Sequence, residues 1–252
     1  MGSTRAGQTM KITAKTDKGL VRENNQDSYA AGELPGGAVW AVVCDGMGGA
    51  AGGNIASSVA VNTISHAVED CYHEGMKPSS VFRLLESAIH RANANLLDMA
   101  QEDQSLSGMG TTCVAVLLIQ GVAYIAHVGD SRVYVVRQSG DLSQITRDHS
   151  YVQELVEQGR ITQEQARNYP GKNIITRAVG VAESIRVEFS EAEVQENDVL
   201  LLCTDGLTNF VTDEQIVQII RDSADAEYAE ELVEAANENG GGDNVTVVTI
   251  TS

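Results

Sequence analysis

The sequence has little positive charge, few aromatic residues and no long apolar run. Its 252 residues include 17 lysines and arginines against 35 aspartates and glutamates, which gives a formal net charge of −18. Nucleic acids and anionic membrane surfaces attract positively charged faces, so this charge argues against both as partners. The longest apolar run, 113–119, has the length of a strand and falls well short of the roughly 18–20 residues of a membrane helix.

Cysteine is also scarce, and its spacing excludes a disulfide framework. The four cysteines, at positions 44, 71, 113 and 203, form no C-x-x-C pair, and three of them stand in apolar runs where a buried thiol is expected. No basic segment followed by an apolar core begins the sequence, so no signal peptide is expected. These features predict a cytoplasmic protein. The small and polar residues 1–9 are expected to be a leader or an added extension.

The periodicity of the apolar residues predicts strands and helices in separate groups. Helical spacing occurs at 54–70, 79–101, 212–221 and 224–237, and strand-like runs occur at 11–15, 39–44, 111–119, 122–127, 132–137, 185–189, 199–203 and 245–250. Such segregation is typical of an α+β fold. Only four residues join 122–127 to 132–137, so these two strands are expected to pair. Without a repeat or linker, residues 10–252 are expected to form a single domain.

Five aspartates stand at the ends of predicted strands, and four of them are next to glycine. They are Asp27, Asp45, Asp130, Asp205 and Asp243. A strand end is a rigid platform, and glycine lets backbone carbonyls and other oxygen atoms approach closely. Convergent carboxylates repel one another unless a cation neutralises them, and oxygen ligands favour Mg²⁺ or Mn²⁺ over Zn²⁺. The pattern predicts a divalent-cation site, although a single Asp-Gly pair is usually only a turn.

Three neighbouring features admit other interpretations. Residues 46–51 match the dinucleotide pattern G-x-G-x-x-G/A, but Asp45 would place a negative charge against a pyrophosphate and no second parallel strand follows. The guanidinium of Arg22 suits a phosphate, yet a salt bridge to Glu23 or another surface carboxylate explains it as well. His149 lies in a predicted loop and is the one histidine that a site could recruit; no histidine shows zinc-motif spacing.

Taken together, these motifs resemble the metal-dependent Ser/Thr protein phosphatases of the PPM (type 2C) family, in its compact bacterial form. The resemblance implies a four-layer αββα sandwich, with two central antiparallel sheets flanked by helices, and hydrolysis of phosphoserine and phosphothreonine in proteins. The matching stretches follow the family's order over nearly all of the chain from residue 10: RENNQD (22–27), VVCDGMGG (42–49), SGMGTT (107–112), HVGDSR (127–132), TRDHS (146–150), RAVG (177–180), CTDGLTN (203–209) and GGDNVT (241–246).

The resemblance also implies which residues hold metal ions. Asp45 would bridge two Mn²⁺ or Mg²⁺ ions, and the carbonyl of Gly46 would be a further ligand. Asp205 and Asp243 would complete the first metal site. Asp130, together with Asp205, would hold a third and weaker ion.

Further positions would act around the metals. By the same resemblance, Asp27 would position metal-bound water, Arg22 would bind the phosphate and Asn244 would support the loop of Asp243. Residues 156–173, called the flap here, would form a mobile segment beside the site. Two positions depart from the pattern. Met47 stands where animal members carry a histidine, and methionine cannot act as a general acid. Gln26 stands where some members carry a glutamate.

The expected reaction is attack of a metal-activated water on phosphorus. Two divalent ions lower the pKa of a shared water towards about 7, while Arg22 offsets charge on the phosphoryl oxygens. The expected partners are phosphorylated proteins, with a cognate Ser/Thr kinase suggested by family analogy alone, and a monomer is expected. The alternatives are a catalytically silent regulatory module of this fold and an acidic Ca²⁺-binding protein. The second is disfavoured because this sequence contains no D-x-[DN]-x-[DN]-G loop.

Overall fold

Two antiparallel sheets lie face to face at the centre of the structure, which is a computed structural model that describes residues 10–251 except the side chains of Ala50 and Ala51. The leader expected at residues 1–9 lies outside the described residues. The strands are β1 (Lys11–Asp17), β2 (Asp27–Leu34), β3 (Ala38–Met47), β4 (Gly110–Thr111), β5 (Cys113–Ile119), β6 (Val122–Val128), β7 (Arg132–Val136), β8 (Leu142–Gln144), β9 (Glu188–Glu193), β10 (Val199–Cys203) and β11 (Val245–Thr251). The helices are α1 (Gly49–Cys71), α2 (Pro78–Glu102), α3 (Tyr151–Glu157), α4 (Gln163–Arg167), α5 (Asp205–Thr208), α6 (Asp213–Asp222) and α7 (Tyr228–Glu238).

The two sheets pack against each other on one face and against helices on the other. One sheet has the order β1-β11-β10-β7-β8 and the other β2-β3-β5-β6-β9, with β4 paired to β3. One apolar core lies between the sheets. A second core lies between β3, β5 and β6 and the helices α1 and α2, and a third lies between β7, β10 and β11 and the helices α6 and α7. The four-layer αββα sandwich is therefore confirmed.

Strand β3 shows why continuous apolar runs suit this arrangement. Successive side chains of a strand point to opposite faces. Val39, Ala41 and Val43 pack into the core between the sheets, whereas Trp40 and Val42 pack against the helices. Both faces are buried, so the run shows no polar alternation, and its polar end at Asp45 comes where the strand leaves the core.

The predicted pairing of 122–127 with 132–137 is wrong. Strand β6 pairs with β5 and β9, whereas β7 pairs with β10 and β8, so the two belong to different sheets. Between them Gly129 has a φ of +108°, and a Cβ atom there would lie 2.7 Å from the side chain of Thr112. This glycine turns the chain from one sheet to the other instead of closing a hairpin, and it places Asp130 at the crossing point.

Two strands and three helices occur where none was predicted. They are β2, β8, α3, α4 and α5, and β9 begins three residues later than the predicted strand 185–189. The two long helices were predicted close to their observed bounds. Among the described residues, no helix combines the length and the apolar character needed to cross a membrane.

Candidate active site

A cavity of about 620 Å³ opens at the end of the sandwich where several strands of both sheets stop. Strand β3 ends beside this cavity, and the chain crosses from one sheet to the other next to it at 18–26 and at 129–131. Asp205 follows the end of β10 and Asp243 precedes the start of β11, both at the cavity. The fold thus brings together residues that are far apart in sequence. Its lining includes Arg22, Asp45, Gly46, Asp130, Asp205, Asp243 and Asn244.

Asp45 lies at the focus of the negative charge. Its backbone is fixed by the neighbouring strand, because its N–H donates to Oγ1 of Thr112 at 2.9 Å and its carbonyl accepts from the Thr112 N–H at 2.8 Å. Burial raises the pKa of the Asp45 carboxyl well above its usual range, and the other four aspartates, led by Asp27, raise it further. Such mutual repulsion favours either a proton or a cation at this position.

Gly46 provides a close approach of backbone to backbone. A Cβ atom at this position would lie 2.0 Å from the carbonyl oxygen of Gly53 and 2.6 Å from that of Gln26. Only glycine fits here. The chain therefore passes close against the start of α1, and the peptide that follows Asp45 stays at the cavity surface.

Asp27 does not line the cavity but lies buried beneath it. It stands directly opposite Asp45 on the neighbouring strand. One carboxylate oxygen, Oδ2, accepts from the hydroxyls of Thr204 at 2.9 Å and Thr246 at 2.7 Å, which come from the other sheet. The second oxygen, Oδ1, is buried without a hydrogen-bond partner. Burial raises the pKa of Asp27 to about 7, although both threonine hydrogen bonds oppose the shift.

Asp205 opens the short helix α5 and carries a second unpartnered oxygen. Its Oδ2 accepts from Nδ2 of Asn209 at 2.9 Å, whereas its Oδ1 is buried without a hydrogen-bond partner. Burial raises the pKa of Asp205 to about 6, and Asp243 is the next cause. Asp130 is 8% exposed, and burial followed by the charge of Asp205 raises its pKa to about 8.

Arg22 is paired with Asp243 rather than with Glu23. Its Nη2 donates to Oδ2 of Asp243 at 2.9 Å, and the arginine side chain is 52% exposed. The other oxygen of Asp243 accepts from the backbone N–H of Asn244 at 2.9 Å. The arginine therefore faces the carboxylate cluster, and its exposure leaves donors free towards the cavity.

Asn244 fixes the loop that carries Arg22. Its Oδ1 accepts from the backbone N–H of Gln26 at 2.8 Å, and its Nδ2 donates to the carbonyls of Lys18 and Asn24, each at 2.9 Å. All hydrogen-bonding positions of the buried amide except one lone pair are therefore used. Asn244 therefore holds the 18–26 crossing next to Asp243.

The residues of the cavity fit a divalent cation, although their side chains do not already surround one. No group of three or more histidine, cysteine, aspartate or glutamate side chains in the described ranges is arranged to hold a metal ion. Asp243 is turned towards Arg22. Each of the five carboxylates has a raised pKa or a cationic partner, and one oxygen each of Asp27 and Asp205 is buried without a hydrogen-bond partner. Together they form an oxygen-only donor set of the kind that Mg²⁺ and Mn²⁺ prefer.

His149 and Met47, which the sequence analysis also considered, differ in their relation to the cavity. His149 does not reach the cavity, because it is buried with Nε2 3.0 Å from Oε2 of Glu188 and its Nδ1 accepts from the Gly129 N–H at 3.1 Å. Met47 lines the cavity, as do Asn173 of the flap and Ile175 beyond it. The structure also argues against the dinucleotide interpretation of 46–51, because β3 pairs only with antiparallel neighbours among the described residues.

Sequence reasoning missed three supporting residues. Thr204 and Thr246 hold Asp27, and Asn209 holds Asp205. Thr204 and Asn209 flank Asp205 within the stretch CTDGLTN, and Thr246 ends the stretch GGDNVT. Their position beside predicted ligands was the available signal, but their partners follow only from the fold.

Comparisons with known proteins agree with this geometry. The family model described as "Protein phosphatase 2C" matches residues 20–239. The serine/threonine phosphatase stp of Listeria monocytogenes is 37% identical over 242 residues, which is 96% of this chain and 95% of that protein. Stp1 of Staphylococcus aureus superposes with a TM-score of 0.90 at 32% identity, over 100% of this chain and 98% of that one. The catalytic domain of the phosphatase PstP, solved with two manganese ions, has a TM-score of 0.84 at 36% identity and covers 96% of this chain and 97% of its own.

Proposed function

This chain belongs to the protein phosphatase 2C family and is a metal-dependent serine/threonine protein phosphatase, and we propose that the cavity at the sheet ends is its active site. The observation that carries this proposal is the convergence of Arg22 and four aspartates, from both sheets, on one cavity, with a fifth, Asp27, buried opposite Asp45. Four of the carboxylates have raised pKa values. Repulsion between these carboxylates disfavours their ionised forms, and a bound cation would offset it.

Each residue has a distinct role in the proposed site. Asp45 and the carbonyl of Gly46 would hold the central cations, and Asp205 and Asp243 would complete the set. Asp130 would share a weaker cation with Asp205, because both residues line the main cavity and also the second one beside it. Bound Mn²⁺ or Mg²⁺ would supply activation of a water nucleophile.

The protein's own groups would position the phosphate and the water. Arg22 presents paired donors on a half-exposed side chain, which suits the oxygens of a phosphate monoester. Asp27 lies opposite Asp45 with one buried oxygen that has no hydrogen-bond partner, and this oxygen would accept a hydrogen bond from a metal-bound water. Asn244 would act indirectly by fixing the Arg22 loop. The lining residues within the described ranges include no cysteine, so the site offers no thiol nucleophile.

The proposal also covers the substrates, the partner, the compartment and the oligomeric state of the protein. Phosphorylated proteins are the substrates, and a Ser/Thr kinase is the proposed cognate partner. The four cysteines are free thiols, which supports a reducing compartment such as the cytoplasm. Only a few large hydrophobic side chains of the described residues are exposed, among them Leu20, Val21 and Ile174, and this supports a monomer.

Release of phosphate from a phosphoserine peptide tests the proposal. We expect turnover with Mn²⁺, none after chelation with EDTA, and recovery when Mn²⁺ is restored. A phosphotyrosine peptide of the same sequence serves as the matched substrate control and should be hydrolysed more slowly. Turnover that survives chelation would refute the metal assignment, and a folded, Mn²⁺-binding protein without turnover would favour the silent regulatory module.

A further inference from the structure

The flap contacts a proposed metal ligand through a single intervening side chain. Nζ of Lys172, in the flap, donates to Oδ1 of Asn209 at 3.0 Å. Nδ2 of the same asparagine donates to Oδ2 of Asp205 at 2.9 Å. Three side chains thus form a continuous row from the flap to the carboxylate cluster.

The chemistry of the two partners fixes the orientation of the asparagine. An ammonium group only donates hydrogen bonds, and an ionised carboxylate only accepts them. The amide of Asn209 therefore satisfies both neighbours in one orientation only, with its oxygen towards Lys172 and its nitrogen towards Asp205. The lysine charge polarises the amide and so strengthens its donation to the carboxylate.

The backbone adds a second constraint on Asn209. Its N–H donates to the carbonyl of Asp205 at 2.8 Å. The asparagine is therefore tied to Asp205 through both main chain and side chain, and a displaced flap would pull directly on the carboxylate. The residue after Lys172, Asn173, lines the main cavity, while Lys172 lines a second cavity of about 310 Å³ that also includes Asp130 and Asp205.

We propose that Asn209 is a positioning residue that couples the order of the flap to cation binding at Asp205. The inference rests on the proposed metal role of Asp205. Coupling of this kind is reciprocal: a flap held by Lys172 tightens cation binding, and a bound cation, which fixes the Asp205 carboxylate, orders the flap. The two hydrogen bonds are partly exposed, so the expected coupling is about three- to tenfold in affinity.

Calorimetric titration with Mn²⁺ and amide exchange of the flap test the coupling in the full chain. We expect Mn²⁺ to slow exchange of the flap in the wild-type protein. Lys172→Met should weaken Mn²⁺ binding about three- to tenfold and abolish this protection, whereas Lys172→Arg, which keeps a cationic donor, should retain both. Asn209→Leu should behave like Lys172→Met, and the double variant should be no weaker than the weaker single variant.

Arg167→Gln is the matched control. It removes another contact between the flap and the body, the 3.9 Å ion pair of Arg167 with Asp213, but one that does not lead to Asp205. It should leave Mn²⁺ affinity unchanged.

Two results would overturn the coupling: wild-type Mn²⁺ affinity in Lys172→Met, or undiminished protection of the flap by Mn²⁺ in that variant. Lys172 is only half-buried, so this variant decides the question even if Asn209→Leu does not fold. The Asp205→Asn variant separates the two levels of the proposal. If it binds Mn²⁺ as the wild type does, the metal role of Asp205 fails and the coupling with it. If Asp205→Asn binds Mn²⁺ weakly but Lys172→Met binds it as the wild type does, the coupling is refuted and the metal role of Asp205 stands.

Discussion

The guanidinium of Arg22 donates to the carboxylate of Asp243, with Nη2 and Oδ2 2.9 Å apart, although the two residues are 221 positions apart in the sequence. This ion pair joins the proposed phosphate-binding group to a proposed metal ligand. A cation would attract Asp243 and a phosphate would attract Arg22, so the two ligands would separate the pair together. Each ligand therefore removes part of the cost of binding the other.

Arg22→Ala should weaken substrate binding more than it slows turnover. Loss of a charge-assisted donor in a catalytic site lowers kcat/KM by a factor that corresponds to about 2–4 kcal/mol of lost transition-state stabilisation. We also expect an increased KM for a small aryl phosphate. Arg22→Lys keeps the charge but loses the paired donors, so it should give an intermediate value. Unchanged kinetics, with only a salt-dependent loss of stability, would reduce Arg22 to a surface ion pair.

Asp45→Asn should separate stability from activity. The variant removes a charge that four carboxylates repel, so the metal-free protein should melt at a higher temperature than the metal-free wild type. Turnover should fall by at least about 100-fold because the central cations are weakened. Wild type should gain about 2.7 kcal/mol of stability at a Mn²⁺ concentration one hundred times its Kd, whereas Asp45→Asn should gain far less. Equal stabilisation of both proteins by Mn²⁺ would contradict the assignment of Asp45.

Asp130→Ala tests the third cation. A site supplied by two carboxylates and mostly water binds Mg²⁺ or Mn²⁺ weakly and exchanges it readily. We expect a large loss of turnover while two tighter ions remain bound in a calorimetric titration. The competing account is that Asp130 merely stabilises its turn, and it predicts a lower melting temperature with nearly full turnover per folded molecule.

The buried histidines should make the protein lose stability in acid. His127 and His149 stack with ring centroids 4.7 Å apart. Burial lowers the pKa of His127 and lowers that of His149 to about 4, while Glu188 opposes both shifts and Arg177 adds to them. Between that value and the ordinary histidine pKa of about 6.5 the unfolded chain binds more protons than the folded one, so stability falls as pH falls through this range.

His149→Asn keeps an acceptor near the Gly129 N–H but removes the titrating ring. Its melting temperature should therefore depend less on pH between about 6.5 and 4 than that of the wild type. His90→Asn, on the exposed side of α2, is the matched control and should not have this effect. Identical pH profiles for His149→Asn and the wild type would show that His149 does not contribute to the acid response.

The sequence was most informative where side chains are buried on both faces. Strands β3, β5, β10 and β11 are continuous apolar runs, and each was predicted close to its observed bounds. Strand β2 was missed because its sequence, DSYAAGEL, is only partly buried and shows no apolar alternation. The short helix α5 was missed because four residues carry no helical period.

The site was predictable in its charges but not in its connections. The aspartates could be found because each stands at a strand end beside a polar turn. The partners of Asp27, in contrast, depend on contact between the two sheets, which Thr204 and Thr246 make from 177 and 219 positions away. The wrong pairing of β6 with β7 has the same origin, since a short turn alone does not reveal that Gly129 carries the chain into the other sheet.

The most direct test of the metal centre is a crystal structure of the protein grown with Mn²⁺, with anomalous diffraction data collected at the manganese edge. We expect two strong anomalous peaks beside the carboxylate of Asp45, one of them also within ligand distance of Asp205 and Asp243, and the Arg22–Asp243 ion pair opened. Strong manganese peaks elsewhere on the molecule, with none beside Asp45, would contradict the account.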